Sequence, residues 1–76
     1  MENNNKLEIW TIYDRPADYP DKFVIRKFDI VGQMIMPTEE INLADTVDEA
    51  REFIPEGLGL IPRSPEDHIN VVESWI

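Results

Sequence analysis

Leu7 to Tyr13 is a run of bulk. Ile9, Trp10, Thr11, Ile12 and Tyr13 are all β-branched or aromatic, the residue types that fit a pleated, half-buried surface. Alternation puts Leu7, Ile9, Thr11 and Tyr13 on one face of a strand and Glu8, Trp10 and Ile12 on the other. Both faces carry apolar side chains, so both need cover. A polar stretch follows, Asp14 to Lys22, in which Pro16 and Pro20 fix φ and bias their predecessors away from helix. This predicts a loop.

Phe23 to Ile30 reads as the second strand, with Val24, Phe28 and Ile30 sharing a face with Arg26. Gly32-Gln33 then supplies a tight turn, glycine standing where a type II′ hairpin wants it. Met34-Ile35-Met36 begins the return strand, Pro37 interrupts it, and Glu40 to Ala44 continues extended. From Asp45 the period changes. Val47, Ala50, Phe53 and Ile54 recur at helical spacing. Thr46 is placed to cap, and Glu49 three residues on completes a capping box. The helix is predicted over Asp45 to Ile54, stopped by Pro55, with Gly57 at the exit. A short strand over Leu58 to Pro62, a turn at Ser64-Pro65-Glu66-Asp67 and a last strand over Ile69 to Trp75 complete the chain.

The order is β-β-β-α-β-β. Hairpin neighbours and a single helix predict an α+β fold, a small antiparallel sheet of four to five strands with one α-helix packed on one face. Residues 1–6 are polar and read as a disordered leader; residues 7–76 read as a single α+β domain. Nothing obvious in the pattern covers the second sheet face. Either a loop folds over it, or it meets a second chain.

Composition narrows the function classes. The chain has 76 residues and no Cys, with 7 Lys plus Arg against 16 Asp plus Glu, a formal charge of −9. Without cysteine there are no disulfide staples, thiolate metal sites or cysteine nucleophiles. A small secreted protein usually carries disulfides, so a reducing cytoplasm is the expected compartment. No apolar run approaches the ~20 residues of a membrane span. The negative charge argues against direct contact with nucleic acid or anionic membrane, and it suits a basic protein surface.

Candidate chemistry is sparse. His68, the lone histidine, sits by the Ser64–Asp67 turn and reads as a solvated turn residue. Asp14, Asp18 and Asp21 lack the spacing, central glycine and terminal glutamate of a calcium loop. Gly32, Gly57 and Gly59 are turn residues and form no phosphate-cradling loop. No cofactor, metal or catalytic group is expected. What remains is charge placement. Asp45, Asp48, Glu49, Glu52 and Glu56 crowd the helix and its exit against Arg51, Glu39 and Glu40 precede them, and Asp14, Asp18 and Asp21 add an acidic loop. Such a surface can imitate a nucleic-acid backbone in a basic groove, with long-range attraction that salt removes. The plainer reading is a solvated face that keeps a small protein soluble.

The run Trp10-Thr11-Ile12-Tyr13-Asp14-Arg15-Pro16-Ala17-Asp18-Tyr19-Pro20, followed by Phe23-Val24-Ile25-Arg26, resembles a family of small uncharacterised proteins of bacterial and phage genomes. Ala50-Arg51, Pro55-Glu56-Gly57-Leu58, Arg63-Ser64-Pro65-Glu66-Asp67 and Val72-Glu73-Ser74-Trp75 extend the resemblance over most of the chain after Lys6. The family has no assigned activity, so no functional residue carries over. In size, acidity and lack of catalytic machinery the chain also resembles phage anti-CRISPR inhibitors, a likeness of type and not of motif.

The reading is a non-enzymatic binding protein, a phage or mobile-element inhibitor of a host nucleic-acid-handling complex such as a CRISPR effector. Asp14, Asp18, Asp21, Asp45, Asp48, Glu49, Glu52 and Glu56 would contact the partner. The alternative is a bacterial interaction module, monomer or homodimer, that self-associates through the open sheet face with Trp10 and Trp75 at the contact.

Overall fold

The computed structural model describes residues 7–65, 67 and 69–76. The polar leader, Glu66 and His68 therefore lie outside the described residues. Five strands and one helix follow the expected order: β1 (Leu7–Asp14), β2 (Phe23–Val31), β3 (Met34–Ala44), α1 (Val47–Arg51), β4 (Leu60–Pro62) and β5 (Val71–Trp75). The strands form one antiparallel sheet in the order β3-β2-β1-β5-β4. The fold is α+β. The chain runs β1-β2-β3 as a meander to one edge, crosses a face of the sheet through α1, and returns as the β4-β5 hairpin on the free edge of β1. Among the described residues no helix is long and apolar enough to cross a membrane.

The register settles which side of β1 is core. Trp10, Ile12, Ile25, Ala44 and Ala50 form the central cluster, with Phe23, Val47, Ile54, Leu58, Val72 and Trp75 packed around it. Ile12 and Ile25 face each other across β1 and β2, and both are fully buried. Truncating either to alanine costs about 2–5 kcal/mol. A chain of 76 residues has only about 4–11 kcal/mol in total at ordinary per-residue stability. Trp10 is 6% exposed on this helix-covered side. The expectation that Trp10 marks an open face for self-association is therefore corrected, because the helix lands on the Trp10–Ile12 side. Trp75 lies opposite Trp10 in the register and is half-buried against the same cluster.

Three boundaries differ from the sequence pattern. The helix ends at Arg51, short of Ile54. Beyond it Glu52, Phe53 and Ile54 donate to the carbonyls three residues back, the tighter 3₁₀ pattern of a helix end. Pro55 disfavours α geometry at Ile54, and the tightened turn leaves Phe53 42% exposed. The short strand starts at Leu60 because Leu58 turns in to the core, just after Gly57 at φ 91°. The last strand starts at Val71, after a turn at Ile69-Asn70.

Pro37 does not interrupt β3. The strand is continuous on the sheet edge, where a missing N–H is tolerated. The register slips by two residues between the Arg26–Ile41 and Phe28–Pro37 pairs. There Thr38 Oγ1 donates to the Lys27 carbonyl at 2.8 Å and accepts from the Glu40 N–H at 3.1 Å. The Gly32-Gln33 turn closes β2 to β3 with Gly32 at φ 62° and no positive φ at Gln33, as a type II′ turn requires.

Candidate functional site: the helix-side carboxylates

Thr46 caps α1. Its side chain accepts from the Glu49 N–H at 3.1 Å. Glu49 reaches back one residue further than a capping box prescribes and accepts from the Asp45 N–H at 3.2 Å. Asp48 and Glu49 occupy the first turn, where the free N–H groups favour negative charge.

The acidic loop and the helix meet through a lysine. Lys22 Nζ donates to Asp45 Oδ1. That bond raises the Lys22 pKa, and Glu49 and Asp21 add to the effect. Asp21, Asp45 and Glu49 thus gather about one ammonium. A second group surrounds Lys27, which pairs with Glu8 at 3.2 Å and lies 5.9 Å from the centre of the Trp10 ring. Its pKa is raised first by the Glu8 bond, with Asp29 and Glu40 contributing. The third group is Arg51, held between Glu73 at 2.8 Å and Asp48 at 3.6 Å. In each group carboxylates outnumber cations.

Glu73 is the acidic residue that the sequence reading missed. It is 6% exposed. Arg51 donates to both its oxygens, at 2.8 and 2.9 Å, and the Trp75 indole N–H adds a third bond at 3.0 Å. The Arg51 bond holds its carboxyl below the usual range, against the opposing effect of burial. The signal was present: Glu73 alternates with Trp75, so it points where that indole does.

The eight expected acidic residues are not equivalent. Asp14 is held by Arg15 at 2.6 Å and Asp18 by Arg26 at 3.1 Å. Asp45 and Asp48 have Lys22 and Arg51, and Glu49 is engaged with the Asp45 N–H. Asp21, Glu52 and Glu56 are exposed and form no ion pair among the described residues. Asp14 pairs with Phe23 at the far end of the helix-side face, where Arg15 holds it, and Asp18 is drawn to the opposite face by Arg26.

On that opposite face the Asp14–Lys22 loop folds over one end of the sheet. Pro16, Ala17 and Asp18, with Tyr13, Arg26 and Asn70, line a cleft of about 300 Å3. Burial raises the Tyr13 phenol above 10.0, partly offset by Arg26. Among the described residues the lining contains no histidine, cysteine, serine or lysine. Among the described residues no three carboxylates or imidazoles converge in a way that could hold a metal ion. No protein-family model matches the chain, and no curated protein or solved structure matches it either.

Proposed function

We propose that this chain is a non-enzymatic binding protein that sets its helix-side carboxylates against a Lys/Arg-lined protein surface. The observation that carries this reading is the arrangement about Lys22 and α1. Asp21, Asp45 and Glu49 share one lysine, while Glu52 and Glu56 extend the same charge beyond the helix exit without a cation. A basic partner would supply the missing counter-charges. The attraction is long-ranged, speeds encounter, and weakens with salt.

The resemblance to phage anti-CRISPR inhibitors gives the partner its class: a nucleic-acid-handling complex of a bacterial host cytoplasm, a CRISPR effector in the specific case. The inhibitor would occupy the groove that otherwise holds a phosphate backbone.

The test is retention on a bacterial lysate at low salt, eluted with a salt gradient and identified by mass spectrometry. A basic nucleic-acid-binding complex should be released at moderate salt. The triple charge reversal Asp21→Lys, Glu52→Lys, Glu56→Lys should weaken binding by about tenfold or more, as expected for three surface pairs of a few tenths to one kcal/mol each. These side chains hold nothing inside the fold. Binding that survives both the reversal and high salt would sink the reading.

A further inference from the structure

We propose that a second copy of this chain docks on the sheet face opposite the helix, two-fold related, through the apolar ladder that runs from Leu7 to Ile41. The register defines this face row by row. Leu7, Ile30 and Ile35 stand side by side on β1, β2 and β3; Ile9, Phe28 and Pro37 form the next row. A third row crosses the whole sheet as Ile61, Ser74, Thr11, Arg26 and Ile41. The last row is Tyr13, Val24 and Leu43.

Cover is unequal along the face. At the Tyr13 end the Asp14–Lys22 loop stands on the sheet, and Val24 is fully buried. At the other end no element of the described chain does the same. Leu7 is 55% exposed and Ile35 60%. Ile41, Leu43 and Ile61 are also exposed. Contiguous apolar area of this kind marks an interaction site.

Charge selects the occupant. The chain carries 16 acidic residues, yet none of them stands in the paired rows of this face; Glu39, in the bulge between Pro37 and Ile41, borders it at the outer edge. The one charge within the rows is Arg26, paired with Asp18 of its own loop at 3.1 Å. A basic partner would find no counter-ion here and would lose its hydration. A second copy brings identical apolar rows whose one charge, Arg26, is already paired, and leaves Glu39 at the solvated rim. The bulged Thr38–Glu40 segment lies at the outer edge of the sheet and forms the rim.

Size agrees. The molecule extends 44 × 25 × 22 Å. β3 has 11 residues and reaches about 37 Å at ~3.4 Å each. The broad side accommodates the ~800 Å2 per partner of a standard interface. Two such faces pack as stacked sheets about 10 Å apart. In the dimer both helices, with their carboxylates, point outward in opposite directions.

Sedimentation equilibrium on the full chain tests this. The mass should rise from 8.9 kDa toward twice that value with concentration. Added salt should tighten the association, because it screens repulsion between two bodies of charge −9. Docking of carboxylates on a basic partner responds to salt in the opposite sense, so the two proposals fail separately. Ile35→Lys with Ile41→Lys should weaken self-association at least tenfold, and Leu7→Lys should do so independently. Ile69→Lys, 82% exposed in the turn before β5, should leave it unchanged. A monomer at millimolar concentration would overturn the proposal, as would a dimer that both lysine variants leave intact.

Discussion

Arg51 grips the carboxylate of Glu73 with two hydrogen bonds, from Nε at 2.8 Å and Nη2 at 2.9 Å. The helix is only five residues long, too short to hold itself together in water. This clamp, with Ala50 beneath it, fixes the helix to β5. It also joins the two halves of the fold, since Arg51 follows the β1-β2-β3 meander and Glu73 belongs to the returning hairpin.

Glu73→Gln keeps the shape and removes the charge. Charge-assisted bonds then become neutral ones, and the amide turns a donor toward Arg51. The expected cost is about 1–3 kcal/mol. For a domain of this size that lowers Tm by roughly 5–15 °C, measured by thermal unfolding. Arg51→Ala should destabilise as well, leaving the buried carboxylate with only the Trp75 N–H. A Glu73→Gln protein as stable as the parent would show that the clamp contributes nothing.

The same residue sets an acid limit. Its folded-state pKa lies below the ordinary 4.5, first through the Arg51 bond. A carboxylate whose pKa is depressed by folding stabilises above its unfolded value, and the contribution is lost as pH falls through the folded value. The urea midpoint should therefore be level in this respect above about pH 5 and fall below 4.5. In Glu73→Gln that part of the fall should vanish, leaving a shallower acid limb.

The β3 bulge rests on one hydroxyl. Thr38 both donates to Lys27 and accepts from Glu40, replacing ladder bonds that the two-residue slip removes. Thr38→Val preserves shape and β-propensity but loses both bonds. It should cost about 1 kcal/mol and speed hydrogen exchange at the Glu40 amide, while amides at the Ile12–Ile25 centre stay protected. Unchanged exchange at Glu40 would mean that the bulge holds without the hydroxyl.

The strands were legible because their signals are local. Period-two bulk marked β1 and β2, and glycine chemistry marked the hairpin. The Thr46 cap was legible for the same reason. What was not legible depends on long-range choice. Leu7–Tyr13 carries bulk on both faces, so only the landing site of the helix decides that Trp10 is core. Pro37 reads as an interruption until β3 is known to lie on the edge. The acidic set was read by sign alone. Which carboxylates stay unpaired depends on where Lys22, Arg26 and Arg51 reach across the sheet, over separations that spacing does not encode.

Trp10 offers an optical check on these assignments. It is 6% exposed under the helix, with the Lys27 ammonium over its ring, and it lies on the opposite side of the sheet from the Leu7–Ile41 ladder. In a Trp75→Phe protein the remaining indole should emit at short wavelength and resist quenching by acrylamide. Because β1 turns that indole away from the ladder, raising the concentration through the self-association range should leave its emission unmoved. In the parent, Glu73→Gln should redden the emission by loosening the helix that covers it. A Trp10 signal that is red-shifted in the dilute monomer and turns blue on association would put the indole in the interface. It would also reverse the assignment of the two sheet faces.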